Sequence, residues 1–137
     1  MKKRRAKATF PELVKTMHTL RAPGGCPWDA AQTHKTLLKY LREESKEVEL
    51  AIRRGDHENL KEELGDLLLQ VLFHAELAAE AGRFSISDVM TVLRDKLLRR
   101  HPHVFSSIKE RLTPAEVHRR WNKIKAAEKA GKSAKSA

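Results

Sequence analysis

One cysteine, few aromatics and no long apolar run are what the chain has least of, and each scarcity removes a class of protein. A lone thiol, Cys26, cannot close an intrachain disulfide, which sets aside disulfide-stapled scaffolds and fits a reducing, cytoplasmic setting. No apolar stretch approaches the roughly 20 residues that span a bilayer, so no membrane partner is expected. The basic start, Met1 to Lys7, is not followed by the apolar segment of a secretory signal. Aromatics make up 5% of the sequence, and there are six glycines and five prolines. Too few turn-formers remain for a many-stranded sandwich, no segment reads as a strand, and no internal repeat is present. With 40% apolar and 34% charged residues in 137 positions, the expectation is one soluble, mostly helical domain with a genuine core.

The net charge is +10, and its position matters more than its size. Residues 1–9 carry five basic and no acidic groups, and residues 119–137 carry seven basic and one acidic, so the ends hold +11 and the interior sums to −1. Basic ends are either solvated tails or a source of non-specific attraction to polyanions, a nucleotide pool included. Nucleic acid is not the expected partner. The division that follows is a basic tail over 1–8, a helical domain over 9–128 and a flexible tail over 129–137.

Five helices are legible. Thr9-Phe10-Pro11-Glu12 has the pattern of an N-cap with a proline in the first turn, and Phe10, Leu13, Val14, Met17 and Leu20 recur at helical spacing to about Arg21. Two prolines and two glycines in Ala22-Pro23-Gly24-Gly25-Cys26-Pro27 then forbid continuation, with Trp28 and Asp29 in or just after this loop. A second helix is expected from near Thr33 to Arg54, stopped by Gly55. Asp56 caps a third, about 57–81, which is apolar almost all round and so demands burial in the domain centre or against a second subunit. Ser85-Ile86-Ser87-Asp88 and Thr113-Pro114-Ala115-Glu116 open a fourth and a fifth, and the fourth ends at His101-Pro102.

The chemistry concentrates in the second and third helices. Glu44 and Glu47, and again Glu63 and Asp66, stand three apart, so each pair shares a helix face. At 100° per residue from Leu41, Glu44 falls at about −60° and Glu47 at about −120°, on or bordering the core side, while Glu43 at about −160° is on the polar face. Carboxylates on a core side require a partner. Four that converge repel unless cations neutralise them, and hard oxygen ligands suit Mg²⁺, with Mn²⁺ as a substitute. Such a site fits phosphoanhydride hydrolysis. Di-iron chemistry ranks low, because neither pair is followed by a histidine at the Glu-x-x-His spacing. A pair of acidic i, i+3 motifs also arises by chance on a solvated helix face.

The cationic and aromatic candidates each carry two readings. Lys96, Arg99 and Arg100 complement the dipole at the end of the fourth helix whatever else they do. Trp121 and Lys125, four apart on one helical face, form either a base-stacking ring beside a phosphate-binding lysine or an anchor of the last helix to the core. Trp28 and Asp29 shape a nucleotide pocket, or Trp28 plugs a turn. His34 reads as a surface or capping residue, and His101 and His103 as structural. A non-catalytic nucleotide-binding or nucleic-acid-binding helical module is the competing reading to an enzyme.

Six segments occur in one order: Gly25-Cys26-Pro27-Trp28-Asp29, Gln32-Thr33-His34, Glu43-Glu44-x-x-Glu47, Glu62-Glu63-Leu64-Gly65-Asp66-Leu67-Leu68, Arg99-Arg100-His101-Pro102-His103-Val104-Phe105 and Trp121-x-x-Ile124-Lys125. Over about residues 10–128 the chain resembles a MazG-type nucleoside triphosphate pyrophosphohydrolase, of the all-α NTP pyrophosphatase superfamily. The resemblance implies an all-α, four-helix-bundle-like fold completed by dimerisation, as a homodimer or higher homo-oligomer. It also implies Mg²⁺-dependent cleavage of a (deoxy)nucleoside triphosphate at the α–β phosphoanhydride, giving a monophosphate and pyrophosphate. Matched position by position, Glu44, Glu47, Glu63 and Asp66 become metal ligands, and Glu43 an assisting or base residue. Lys96, Arg100 and Lys125 become phosphate-binding residues, and Trp121 their aromatic partner. Many members carry this domain twice in tandem; here there is one copy.

Overall fold

The computed structural model describes residues 6–136, and all regular structure among them is helical. Residues 1–5 and 137, which belong to the two expected tails, lie outside the described residues. The helices are α1 (Phe10–Arg21), α2 (Pro27–Ala31), α3 (Leu38–Arg54), α4 (His57–Glu80), α5 (Ile86–Arg100), α6 (Pro102–Phe105) and α7 (Pro114–Ser136). They fall into two compact units that divide between Val89 and Met90.

The first unit is organised on the hairpin of α3 and α4, its most extensively packed pair of elements. Gly55 ends α3 in a left-handed conformation, φ 64°, with its N–H donating to Ile52 O at 3.1 Å and that of Asp56 to Ala51 O at 3.1 Å. This is the geometry for which glycine is selected, since a Cβ disfavours positive φ. Asp56 then caps α4 by accepting from the Asn59 N–H at 3.1 Å. A two-residue turn of this kind lays the helices antiparallel.

Two boundaries differ from expectation, each through local hydrogen bonding. The stretch from Thr33 is not yet α3 but a turn closed reciprocally by two threonines: the Thr33 N–H donates to Thr36 Oγ1 at 2.8 Å and the Thr36 N–H to Thr33 Oγ1 at 3.2 Å. Side chains that bond their own backbone compete with the helix in this way. The glycine–proline loop is followed at once by the single-turn α2, which carries Trp28 and Asp29. Arg21 fixes that turn. Its guanidinium donates to the backbone carbonyls of Asp29 and of Gln32, and to Glu80 on α4 through Nε and Nη2, both at 2.9 Å.

Met17, Leu37, Leu72 and Phe73 form the core, with Phe10, Leu13, Val14, Leu20, Tyr40, Leu68, Leu77 and Ile86 packed round them. The caps act as expected: Thr9 accepts from the Glu12 N–H at 3.4 Å, and Ser85 and Asp88 bond reciprocally at the start of α5. The apolar circumference of α4 is only partly covered. Leu72, Phe73, Ala75 and Ala78 are buried, whereas Leu64, Leu69 and Val71 remain 50%, 40% and 42% exposed.

The second unit comprises the rest of α5, α6 and α7. Thr113 and Glu116 form the expected capping pair, the Glu116 N–H donating to Thr113 Oγ1 at 3.2 Å. The last helix does not fray at Glu128 but continues through Gly131 to Ser136. The basic residues from Arg119 onward therefore stand on a helix rather than on an irregular tail. Glu128 receives Arg99 Nε at 2.6 Å and Arg100 Nη2 at 2.8 Å, tying α7 to the end of α5.

Candidate active site

Helical phase on α3 and α4, set against each other by the Gly55 turn, brings three of the four carboxylates together. Glu44 stands eleven residues before Gly55 and Asp66 eleven after, so an antiparallel pairing makes them neighbours. Glu44, Glu63 and Asp66 each present a carboxylate oxygen within 4.8 Å of the others. Among the described residues they are the one group of three or more such side chains close enough to share a cation. Glu44 and Glu63 are partly buried and Asp66 is exposed.

Glu47 lies outside that set and is exposed, further from the core than its phase suggests, and Glu43 is exposed as expected. Nor is the second pair deeply buried, because this stretch of α4 lies along its open face.

The electrostatics of the cluster are those of crowded like charges. Partial burial raises the pKa of Glu44 first, followed by the charge of Asp66, a hydrogen bond with Glu63, and the charges of Glu63 and Glu47. Either a proton or a cation relieves that repulsion. An all-carboxylate donor set selects a hard divalent ion, so the residues present fit Mg²⁺ or Mn²⁺.

In the same unit, Trp28 is about half exposed and meets the Tyr40 ring edge-on at 5.6 Å. Asp29 is partly buried, and its backbone is the part that Arg21 grips.

The remaining candidates occupy the second unit. Trp121, Lys125, Val117, His118 and Pro114 line an open groove of about 480 Å³. Arg100 lies over the Trp121 ring, its Cζ 5.2 Å from the centroid, and His101 meets the same ring edge-on at 5.0 Å. The His101 imidazole bonds the Leu97 carbonyl through Nδ1 at 2.6 Å. Trp121 is thus both groove wall and packing element. Arg100 is engaged by Glu128, whose carboxyl is held down to about 2 by hydrogen bonds from Arg100 and Arg99. Lys96 is partly buried on α5, and Lys125 is exposed. The Arg21 clamp and the His101–Trp121 contact escape sequence reasoning, because each depends on helices far apart in the chain.

Comparison with known proteins shows the family. Residues 32–105 match the MazG nucleotide pyrophosphohydrolase domain. The chain is 50% identical over 123 residues to the nucleoside triphosphate pyrophosphohydrolase/pyrophosphatase MazG of Thermotoga maritima, covering 90% of this chain and 46% of that one. To the nucleoside triphosphate pyrophosphohydrolase of Escherichia coli K12 it is 48% identical over 126 residues, covering 91% and 48% respectively. It therefore spans about half the length of these relatives. The crystal structure of a MazG-related protein from Thermotoga maritima superposes with a TM-score of 0.66 at 28% identity, covering 85% of this chain and 96% of that one. With an all-helical fold and a domain match over more than half its residues, the chain belongs to the MazG family.

Proposed function

We propose that this chain hydrolyses (deoxy)nucleoside triphosphates at the α–β phosphoanhydride, releasing a nucleoside monophosphate and pyrophosphate, with Mg²⁺ as cofactor. The observation that carries the reading is the convergence of Glu44, Glu63 and Asp66 on a hairpin of a MazG-family chain. In this reading these three hold the ion, and Glu47, one turn along α3, supplies a fourth carboxylate. Bound there, Mg²⁺ or Mn²⁺ neutralises charge on the carboxylates and on phosphate oxygens and lowers the pKa of water.

The other roles belong to the chain's own groups. Glu43 accepts the proton of the attacking water. The water oxygen bonds to one phosphorus of the α–β bridge, and the bridging oxygen departs with the other. Lys96, Arg100 and Lys125 bind the phosphates, with the substrate displacing Glu128 from Arg100. The Trp121 ring stacks on the base, and Trp28 and Asp29 shape the nucleotide pocket. The open face of α4, with Leu64, Leu69 and Val71, is where a second copy would complete the bundle in a homodimer. A cytoplasmic setting is part of the same proposal. None of the described helices is long and apolar enough to cross a membrane.

The test is incubation of the purified chain with a panel of (d)NTPs and Mg²⁺, followed by separation of products. Monophosphate plus pyrophosphate is expected, and orthophosphate plus a diphosphate would refute α–β cleavage. Glu63→Gln is expected to lose Mg²⁺-dependent turnover while keeping its helical circular dichroism. Light scattering of the same preparation reads the dimer, which a monomer mass would overturn.

A further inference from the structure

At the end of the α3–α4 hairpin away from Gly55, two histidines meet. His34 stands in the threonine-closed turn that leads into α3, and His74 on α4, at nearly equal distances in sequence from Gly55. Their Nδ1 atoms are 2.7 Å apart, and their ring planes lie within 5° of parallel with centroids 5.0 Å apart. The centroid separation exceeds the nitrogen separation by about the sum of the two ring radii. Parallel rings can satisfy that only when they lie end to end in one plane. The contact is therefore an in-line N–H···N hydrogen bond rather than face-to-face stacking.

One proton occupies the bond, so one ring donates and the other accepts. The surroundings indicate which. His74 Nε2 is buried without a partner, and so is Gln70 Oε1, one turn earlier on the same face of α4. Gln70 Oε1 can only accept, so of the two tautomers the one with N–H on His74 Nε2 avoids a second unpartnered acceptor on that face, and it is the one we assign. His74 Nδ1 then accepts, and His34 Nδ1–H donates. Burial and the neighbouring His34 both lower the proton affinity of His74, consistent with a ring kept neutral as an acceptor.

We propose that His34 and His74 are positioning residues: their bond pins the start of α3 in register on α4, so that the Glu44 carboxylate stays opposite Glu63 and Asp66. The Gly55 turn fixes the hairpin at one end by covalent geometry, and this bond fixes the other. The carboxylates lie between the two pins. Like charges push them apart, and the second pin opposes that repulsion together with the Arg21 link from the Gln32 carbonyl to Glu80 and the apolar packing around Leu37 and Tyr40. The inference rests on the metal-dependent reading given above, but its primary readout does not.

The test uses His34→Leu, which removes the donor, and His34→Asn, whose Nδ2 keeps a donor near the position of Nδ1. Amide hydrogen exchange of residues 38–47 is measured at one pH in the native chain and both variants. Exchange about tenfold faster or more in His34→Leu, with native protection in His34→Asn, is expected. Equal protection in His34→Leu overturns the proposal.

Mn²⁺ affinity of the same samples should weaken by about tenfold in His34→Leu and recover in His34→Asn, the range seen when groups supporting a metal's ligands are removed. Native Mn²⁺ affinity in a loosened His34→Leu overturns the link to the carboxylates. Failure of the native chain to bind Mn²⁺ overturns the metal reading instead, and the exchange data still decide the pin. Should His34→Leu not fold, imidazole ¹⁵N spectra of the native chain decide: one protonated and one unprotonated Nδ1 support the pair, and two protonated Nδ1 atoms refute it.

Discussion

Glu44→Gln should make the metal-free protein more stable, not less, and this is the most direct check on the carboxylate cluster. The substitution preserves shape and removes one charge. Glu44 faces two carboxylates, Glu63 and Asp66, each with an oxygen no more than 4.8 Å away. Two unit charges about 4 Å apart in water repel by about 1 kcal/mol. Salt screening at the exposed Asp66 lowers that figure and partial burial of Glu44 raises it, so relief of two such contacts is worth about 1–2 kcal/mol. In a unit of fewer than 100 residues, each 1 kcal/mol moves Tm by roughly 4–8 °C.

Scanning calorimetry in EDTA and in excess Mg²⁺ reads both halves of the argument. On the proposed metal reading, native protein should gain Tm with Mg²⁺ through binding to the folded state, whereas Glu44→Gln should begin higher and gain less. The sign in pH follows from the raised pKa of Glu44. The metal-free folded state holds this proton more tightly than the unfolded state, so its contribution to stability falls as pH rises from the ordinary value of about 4.5 through the raised pKa. That slope should flatten in the variant. A Glu44→Gln protein that melts lower in EDTA, or keeps the full Mg²⁺ shift, would refute the shared site.

Gly25 admits no side chain: a Cβ there would lie 2.3 Å from the Thr19 carbonyl oxygen and 2.5 Å from that of Leu20. Gly25→Ala should destabilise by about 1–3 kcal/mol, read from the urea midpoint, and an unchanged midpoint would contradict the backbone approach. His74 has a lowered pKa in the folded state, so its contribution is full above the unfolded value of about 6.5 and declines as pH falls through that value toward the folded one. Urea midpoints of native and His74→Gln proteins between pH 7.5 and 5.5 should show the steeper acid loss in the native chain; parallel curves would count against it. Carbon NMR titration should place the Glu128 carboxyl near pH 2, and near an ordinary glutamate value in an Arg99→Gln/Arg100→Gln double variant. An ordinary midpoint in the native chain would mean that the two arginines do not hold it.

Legibility in the sequence tracks the range of the interaction. Gly55 and Asp56 declare a turn and a cap using only their neighbours, so the α3–α4 hairpin is readable. Once it is, Glu44, Glu63 and Asp66 follow from phase. Phase fixes direction but not how much of a helix its neighbours cover, which is why Glu47 proves more exposed than its angle suggests and Leu64 less covered. Thr33 and Thr36 delay α3 through side-chain bonds that an apolar pattern does not register. The His34–His74 bond spans 40 residues, and its only sequence signal is near-equal distance from Gly55, which has meaning only after the hairpin is known.

That hairpin also bears on how the site comes into being. Glu44 and Asp66 are 22 residues apart, so the acidic cluster is assembled by a local event with a short loop to close. The cluster can form before the rest of the unit has packed. It forms against its own repulsion, so a divalent ion in the medium would favour the compact hairpin over the open chain, and the proposed cofactor would act first as a folding ligand.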